Sequence, residues 1–170
     1  MTTSGQGPRV QARLATPDDL SALVANETGR TKGLSASYLE LQEQGDFYVI
    51  VGLIGDEIQG RVILDVRPID GVLVPELKLL WVVPSARRQG LGVVLTSFLE
   101  DLAADLGYDE IFLGVNPENP AAIPLYISLD YTPTGEHRNA VNLSVADADQ
   151  GDASGDEPME AIYRKSLRIR

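Results

Sequence analysis

The stretch from Leu77 to Leu106 constrains the fold most, because it joins an apolar run to a long amphipathic segment through a turn rich in glycine and arginine. The run from Leu77 to Val83 is rich in leucine and valine and predicts a buried strand. The segment from Val93 to Leu106 carries apolar side chains at helical spacing and predicts a helix. Pro84 cannot donate to a strand ladder and marks the end of the strand. The chain therefore contains a strand, a turn and a helix in succession.

The turn itself has the composition of an anion-binding site. The first N–H groups of a helix have no internal partner, and the helix dipole favours an anion beside them. Gly90 and Gly92 lack a Cβ, so a ligand can approach the backbone closely. Arg87 and Arg88 add fork-shaped donors that suit phosphate. These residues predict a phosphate or pyrophosphate cradle, with an ordinary turn carrying surface arginines as the alternative.

Composition removes several classes of function. The 170 residues suit one domain with a core of its own. The chain has no cysteine and one histidine, His137, which excludes disulfides, thiol nucleophiles, thiolate metal sites and His-cluster metal sites. The net charge of −11 argues against a nucleic-acid partner. It suits a cationic acceptor, and it also suits plain solubility.

The same sequence predicts neither a membrane span nor a secretion signal. No apolar run approaches the roughly 20 residues that a transmembrane helix needs. The segment from Met1 to Val10 is polar and lacks the apolar stretch of a secretory signal. We therefore expect a cytoplasmic protein with no membrane partner.

Turn residues and apolar periodicity predict one α/β (α+β) domain over residues 10–170, behind a flexible tail at 1–9, with a flexible acidic loop at 146–158. We expect four helices: one after Thr16-Pro17, one starting at a Ser37–Glu40 capping box, one at Val93–Leu106 ended by Gly107, and one from Asn119 to Leu129 with Pro124 inside it. The expected strands are Val10–Leu14, Phe47–Ile54, Ile58–Val66, Glu76–Val83, Ile111–Val115, a strand from Tyr131 that continues to Ser144, and Ala161–Leu167.

Two segments resemble the signatures of the GNAT superfamily of N-acetyltransferases. Arg87-x-x-Gly90-x-Gly92 is similar to the family's acetyl-CoA signature, which lies between the fourth strand and the third helix. The later segment with Asn119, Ala122, Leu125 and Tyr126, followed by Leu129-Asp130-Tyr131, is similar to the family's N-x-x-A-x-x-L-Y…L-G-F pattern. It departs from that pattern at Asp130, which replaces a glycine, and at Pro124. The resemblance implies the GNAT fold, a mixed and mostly antiparallel sheet of about seven strands flanked by about four helices.

The resemblance also implies how acetyl-CoA would bind. Backbone N–H groups from Arg88 to Gly92 would hold the pyrophosphate, and the strand at Trp81–Val83 would pair with the pantetheine amides. In the family this strand separates from its neighbour, and the acetyl group lies in the opening. The residues implied to contact the cofactor are Trp81, Val82, Val83, Arg87, Arg88, Gln89, Gly90, Leu91, Gly92, Val93, Asn119 and Tyr126.

Two side chains are implied to carry the chemistry, in which an amine attacks the thioester directly and no metal takes part. Tyr126 matches the family's tyrosine that protonates the leaving thiolate; packing beside the cofactor is the alternative. Glu76 is the candidate base, and a surface charge at a strand end is its alternative. The N–H of Val83 would polarise the carbonyl oxygen. His137 is a second ionisable candidate, for which we expect a loop position at least as readily as a position in the site. Tyr38, Glu27 and Asp46 are candidates for the acceptor side.

The function implied is transfer of an acetyl group from acetyl-CoA to a primary amine. We expect a small acceptor, and the acidic balance favours a cationic one. The alternatives are a protein α-amine or lysine as acceptor, a longer acyl donor, and a non-catalytic module that senses acyl-CoA. Homodimers are frequent in the family, but no residue of the sequence identifies an interface.

Overall fold

A computed structural model describes residues 9–27, 31–68, 73–116, 123–139 and 159–168. It follows the predicted order β-α-α-β-β-β-α-β-α-β-β. A 3-10 turn precedes the first helix, and a second one follows β4. The elements are β1 Val10–Leu14, α1 Leu20–Ala25, α2 Leu34–Gln42, β2 Phe47–Ile54, β3 Glu57–Asp65, β4 Glu76–Val82, α3 Leu91–Asp105, β5 Glu110–Val115, α4 Ile123–Ser128, β6 Thr132–Asn139 and β7 Met159–Ser166.

The strands form one seven-stranded open sheet in the order β1-β2-β3-β4-β5-β7-β6. Neighbouring strands are antiparallel except β4 and β5, which are parallel. A parallel pair needs a crossover, and α3 provides it. The prediction of a mixed, mostly antiparallel sheet with helices on its faces is confirmed.

Each face of the sheet has its own apolar core. On one face, which we call the α3 face, Leu91, Leu95 and Leu99 of α3 pack on β2, β3, β4 and β5. On the other, the α1–α2 face, Tyr38 and Leu39 of α2 pack on β2 and β3 together with Leu23 of α1. Because side chains alternate along a strand, each strand between these layers contributes to both cores.

Two strand glycines allow α3 to lie close to the sheet at its N-terminal end. A Cβ added at Gly60 of β3 would lie 2.9 Å from the carbonyl oxygen of Trp81 and 3.2 Å from side-chain atoms of Leu91 and Leu95. At Gly52 of β2 it would lie 2.7 Å from Leu91. Such distances are below normal contact, so larger residues would push the first turn of α3 away from the sheet.

Strands β4 and β5 part from each other, as the resemblance implies. Within the described residues they share one pair of Cα partners, Glu76 and Phe112. Just beyond that pair, β4 contains a bulge against β3, and Leu79 within it has a φ of 54°. A leucine with positive φ is strained, and such residues concentrate at functional sites. The bulge and the parting leave an opening along the edge of β4.

The structure corrects two local predictions. Helix α2 begins at Leu34 with Gly33 as its N-cap, so Ser37 lies inside the helix and the Ser37–Glu40 capping box is wrong. His137 lies within β6, paired with Ala161, and not in a loop. Gly107, with a φ of 100°, follows the end of α3 as predicted.

Some predictions fall outside the described residues. These are the tail at 1–9 except Arg9, the start of the fourth helix at Asn119, the end of the sixth strand beyond Asn139 and the acidic loop at 146–158. Within the described ranges, no helix has the length and apolar character needed to cross a membrane.

Candidate active site

A cleft of about 490 Å³ lies where β4 ends and α3 begins. Its walls come from the end of β4, the turn, the first turn of α3 and one residue of α4. The lining residues are Leu80, Trp81, Val82, Ala86, Arg87, Arg88, Gly90, Leu91, Gly92, Val93 and Leu125.

The turn presents its backbone to this cleft. The N–H of Ala86 bonds to the carbonyl of Val83 at 2.8 Å, and Arg87 Nε donates to the carbonyl of Val82 at 3.0 Å. The chain then passes through left-handed conformations at Arg88 and Gly90, with φ values of 68° and 83°. These contacts bend the chain directly into the helix.

Helix α3 begins without a side-chain cap. Gly90 is its N-cap and has no side chain, so the N–H groups of Gly90 to Val93 are left without an intrahelical partner. The first helical bond runs from the Val94 N–H to the Gly90 carbonyl at 3.1 Å. Unpaired N–H groups at the positive end of a 15-residue helix form a site for an anion.

Gly92 marks where a ligand fits. A Cβ added there would meet no atom of the described residues within 4 Å, and its φ is not positive. Neither backbone conformation nor packing against the described residues therefore requires glycine at this position. The residue leaves room in the cleft next to the helix N–H groups, as a bound phosphate group would need.

The edge of β4 supplies a different N–H group from the one predicted. The Val83 N–H donates to the Gln59 carbonyl at 2.8 Å, so it is not available to polarise a substrate carbonyl. Backbone groups alternate in direction along an antiparallel strand, so the N–H of Val82 points away from β3 and toward the opening at β5. Val82 is the better-placed donor.

Tyr126 lies on α4, partly buried against the core of the α3 face. Its ring meets that of Tyr131 edge to face, with centroids 6.1 Å apart. Burial raises the pKa of Tyr126 to about 12, so the hydroxyl carries its proton at neutral pH. Its neighbour Leu125, and not Tyr126, lines the cleft.

A buried polar group fixes the end of α4, and the sequence analysis missed it. Tyr131 is 1% exposed and donates its hydroxyl to Glu100 Oε2 at 3.0 Å. Lys165 Nζ donates to Glu100 Oε1 at 2.9 Å. These bonds tie Tyr131, which lies three residues after the end of α4, to α3 and β7.

Glu76 is buried in an ion-pair cluster on the α1–α2 face. It is 3% exposed, and its two carboxylate oxygens accept bonds from Arg138 of β6 at 2.7 and 2.8 Å. Arg138 Nε also donates to Glu160 Oε2 of β7 at 3.0 Å. The side chains of Arg138 and Glu160 lie over Gly114 of β5, where a Cβ would clash with both. Glu76 is therefore neither exposed nor unpaired.

Glu160 is a second carboxylate of this cluster, and its two oxygens differ. Burial raises the pKa of Glu160, and the charge of Glu76 adds to the rise, while Arg138 and Lys78 oppose it. Oε2 accepts the bond from Arg138, and Oε1 has no hydrogen-bond partner within the described chain. No sequence signal pointed to Arg138 or Glu160, because their contact depends on the register of β6 and β7.

Comparison with known proteins agrees with this architecture. The model of the acetyltransferase (GNAT) family matches residues 18–131, which span β4, the turn, α3 and α4. The chain belongs to the GNAT acetyltransferase family. Among curated proteins, a search finds no match to the chain.

Solved structures share the GNAT fold at low sequence identity. A Salmonella typhimurium protein solved with its cofactor acetyl-CoA has 23% identity and a TM-score of 0.67, covering 94% of each chain. The ribosomal-protein-S18-alanine N-acetyltransferase from Escherichia coli has 19% identity and a TM-score of 0.66, also covering 94% of each chain. An aminoglycoside 6'-N-acetyltransferase complexed with coenzyme A has 19% identity and a TM-score of 0.65, covering 94% of this chain and 98% of that one.

The predicted acceptor-side residues of this GNAT domain do not lie together. Tyr38 is buried on α2, against Phe47 and beside a small cavity. Glu27 follows α1 and accepts the N–H of Gly33 at 2.9 Å. Asp46 precedes β2, where its carbonyl accepts the N–H of Val66 just after β3, at the end of the sheet opposite the cleft. His137 is exposed on β6.

Within the described ranges, no group of three or more histidine, aspartate or glutamate side chains has a metal-binding arrangement. The predicted cofactor contact Asn119 lies outside those ranges, whereas Val83, Gln89 and Tyr126 are described but do not line the cleft.

We expect Arg138→Met to destabilise the GNAT domain by about 3–5 kcal/mol, because it leaves the buried Glu76 carboxylate without its cation. Urea unfolding followed by circular dichroism measures the change. The control is Arg164→Met, at an exposed arginine of β7, which should change the free energy of unfolding by no more than about 0.5 kcal/mol. Equal effects of the two substitutions would show that the cluster does not anchor β6 to β4.

Proposed function

We propose that this chain is an N-acetyltransferase that uses acetyl-CoA to acetylate a primary amine on a small acceptor. The main observation in its support is the cleft, in which unpaired N–H groups of α3 adjoin the open edge of β4. That combination suits a ligand with a pyrophosphate at one end and an amide-containing arm at the other. Acetyl-CoA has both parts, and two of the similar structures hold acetyl-CoA or CoA.

The residues present fit such a ligand. The N–H groups of Gly90 to Val93 would hold the pyrophosphate, assisted by the exposed guanidinium groups of Arg87 and Arg88. Val82, on the open edge of β4, would bond to the pantetheine arm as an added strand does. Acetyl-CoA supplies an activated thioester whose carbonyl carbon the amine attacks, and CoA leaves as the thiol.

We expect Gly92→Glu to weaken CoA binding by about a hundredfold without lowering the melting temperature. A carboxylate in the first turn of α3 interacts well with the helix dipole, but it repels the pyrophosphate from the same position. Thermal-shift and calorimetric titrations with CoA, acetyl-CoA and ATP measure both effects. Gly92→Ala is the matched control, because it adds a Cβ in open space and no charge. CoA binding to Gly92→Glu at wild-type strength would exclude this turn as the pyrophosphate site.

Tyr126 is the proposed general acid for the leaving thiolate. Its buried hydroxyl keeps its proton at neutral pH, with a pKa raised to about 12. Its neighbour Leu125 lines the cleft, so Tyr126 lies on the helix that borders the cleft. The bond between Tyr131 and Glu100 holds the base of α4 in place.

We expect Tyr126→Phe to lower kcat about a hundredfold at neutral pH with little change in acetyl-CoA affinity, because the thiolate would then leave without a proton donor. Steady-state kinetics with the best acceptor of an amine panel, together with calorimetry for acetyl-CoA, separates the two quantities. Tyr48→Phe on β2 is the control for loss of a tyrosine hydroxyl away from the cleft. An unchanged kcat would exclude Tyr126 as the acid.

The carboxylate cluster on the α1–α2 face is the proposed acceptor of the amine proton. The sequence predicts Glu76 for this role, but Arg138 engages both of its oxygens. Burial raises the pKa of Glu160, and one of its oxygens has no partner in the described chain, so this carboxylate has a free oxygen with which to accept a proton. We therefore propose that Glu160 takes the proton, directly or through one water, while Arg138 holds its carboxylate in place.

The pH dependence of kcat/KM tests this assignment. The base must be ionised, so kcat/KM should fall as the pH drops through the raised pKa of Glu160. Protonation of the amine lowers kcat/KM over the same range, so the two protonations together should give a steeper fall than the amine alone. We expect Glu160→Gln to lower kcat and to remove the additional steepness, and Glu76→Gln to keep it. If Glu76→Gln removes the steepness and Glu160→Gln keeps it, then Glu76 is the base.

Two further candidates for the function remain to be tested by the same assay. One is acetylation of a protein amine, because a similar structure is that of a ribosomal-protein-S18-alanine N-acetyltransferase. A non-catalytic acyl-CoA sensor would bind CoA without turnover. Release of free thiol from acetyl-CoA over a panel of small amines and N-terminal peptides distinguishes the three. Turnover with small amines supports our proposal, and turnover with peptides alone contradicts it.

A further inference from the structure

Arg61 on β3 differs from the other partly buried cations of the chain. Every other arginine or lysine in the described ranges that is not exposed pairs with a carboxylate, whereas Arg61 forms no ion pair and donates no hydrogen bond there. The pairs of the other cations are Arg13–Asp19, Arg67–Asp65, Lys78–Asp65, Arg138–Glu76, Arg138–Glu160 and Lys165–Glu100.

The surroundings of Arg61 give its charge little compensation. Its guanidinium lies over the ring of Trp81, 5.4 Å from the centroid. Burial lowers the pKa of Arg61, and the negative charge of Glu27 opposes that effect from beyond ion-pair distance. A guanidinium removed from water without an anionic partner is costly, and the cost is recovered when an anion binds.

A small cavity lies beside this guanidinium. Its polar wall is formed by Arg61 with Thr31, Ser35 and Tyr38, and its apolar wall by three leucines together with Val49 and Ile63. The volume is about 10 Å³, close to that of one water-sized group, so it can receive the end of a ligand but not a whole molecule. The leucines are Leu23, Leu34 and Leu79.

Carboxylate is the end group whose charge and hydrogen-bonding geometry suit Arg61 best. A guanidinium binds a carboxylate through two parallel hydrogen bonds, and the apolar wall strengthens the attraction by keeping water out. An ammonium group would be repelled by Arg61. The cavity therefore selects an anionic end group, in contrast to the cationic acceptor that the overall charge suggests.

The cavity and the cofactor cleft share strand β4. Leu79, the strained residue of the bulge, lines the cavity, while the next residues, Leu80 and Trp81, line the cleft. Trp81 also carries the Arg61 guanidinium on its ring. A ligand anchored at Arg61 thus lies against the strand that would hold the thioester.

We infer that Arg61 binds a carboxylate of the acetyl acceptor, which makes the acceptor an amino acid or a compound with a carboxylate close to its primary amine. This inference rests on the proposed function, and it narrows the substrate class within it. Aminoglycosides and polyamines carry no carboxylate, and the α-amine of a protein chain has no free carboxylate next to it. The inference therefore separates these acceptors from amino acids.

Calorimetric titration of the full-length, CoA-saturated protein tests the inference without any need for turnover. The probes are the standard L-amino acids, each paired with its carboxamide, such as leucine with leucinamide. We expect at least one amino acid to bind about tenfold or more tightly than its carboxamide. Arg61→Gln should abolish that preference, and Arg61→Lys should retain part of it, because lysine keeps the charge but not the two-bond geometry.

The control is Arg164→Gln, which removes an exposed positive charge from β7 and should leave the preference intact. Arg61 forms no ion pair with any described residue, so we expect Arg61→Gln to keep its melting temperature. If no amino acid binds more tightly than its carboxamide, or if Arg61→Gln keeps the preference, the inference is wrong.

Acetylation of carboxamides or peptides in preference to amino acids would also contradict it and would leave the proposed acetyltransferase function standing. Conversely, the protein could bind an amino acid through Arg61 and show no affinity for CoA. That result would overturn the proposed function and leave the carboxylate site at Arg61 standing.

Discussion

The close approach of α3 to the sheet is the constraint on which the site depends. The first turn of α3 reaches β2 and β3 because Gly52 and Gly60 have no side chains there. That contact directs the unpaired N–H groups at the start of α3 into the cleft beside β4. Burial of Leu91 and Leu95 stabilises this arrangement by roughly 1.5–3 kcal/mol for each side chain. The anion site is therefore held rigid by the hydrophobic core.

The parting of β4 from β5 is the second determinant, and charges hold the sheet together where it occurs. The strands share one pair of Cα partners in the described chain, so the ladder alone contributes little at this point. Arg138 of β6 crosses Gly114 to reach Glu76 on β4, joining the two halves of the sheet by a buried ion pair. The cluster thus combines an architectural role with the proton-accepting role proposed for Glu160.

The sequence was sufficient for the elements that depend on local pattern. Hydrophobic periodicity and turn residues predict the strand at Phe47–Ile54, the turn glycines and the order of elements. The family's signatures located the turn of the cleft. It was insufficient where a contact depends on register. Arg138 binds both Glu76 and Glu160 only because β7 lies between β5 and β6 in the sheet. Val83 and Val82 are adjacent in sequence, and only the pairing with β3 shows which N–H is available. That Arg61 has no ion pair within the described residues becomes visible only when the partners of the other partly buried cations are known.

The most direct test of the central claim is a backbone amide NMR titration of the 18.4 kDa protein with CoA. The account requires large, saturable shifts for the N–H signals of Gly90, Leu91, Gly92 and Val93, and smaller ones for Val83, whose N–H is bonded to Gln59. Inorganic pyrophosphate should move the same four signals to a lesser extent. Saturating CoA that leaves these four amides unchanged, or that shifts only residues outside the cleft, would contradict the assignment of the α3 N-terminus as the pyrophosphate site.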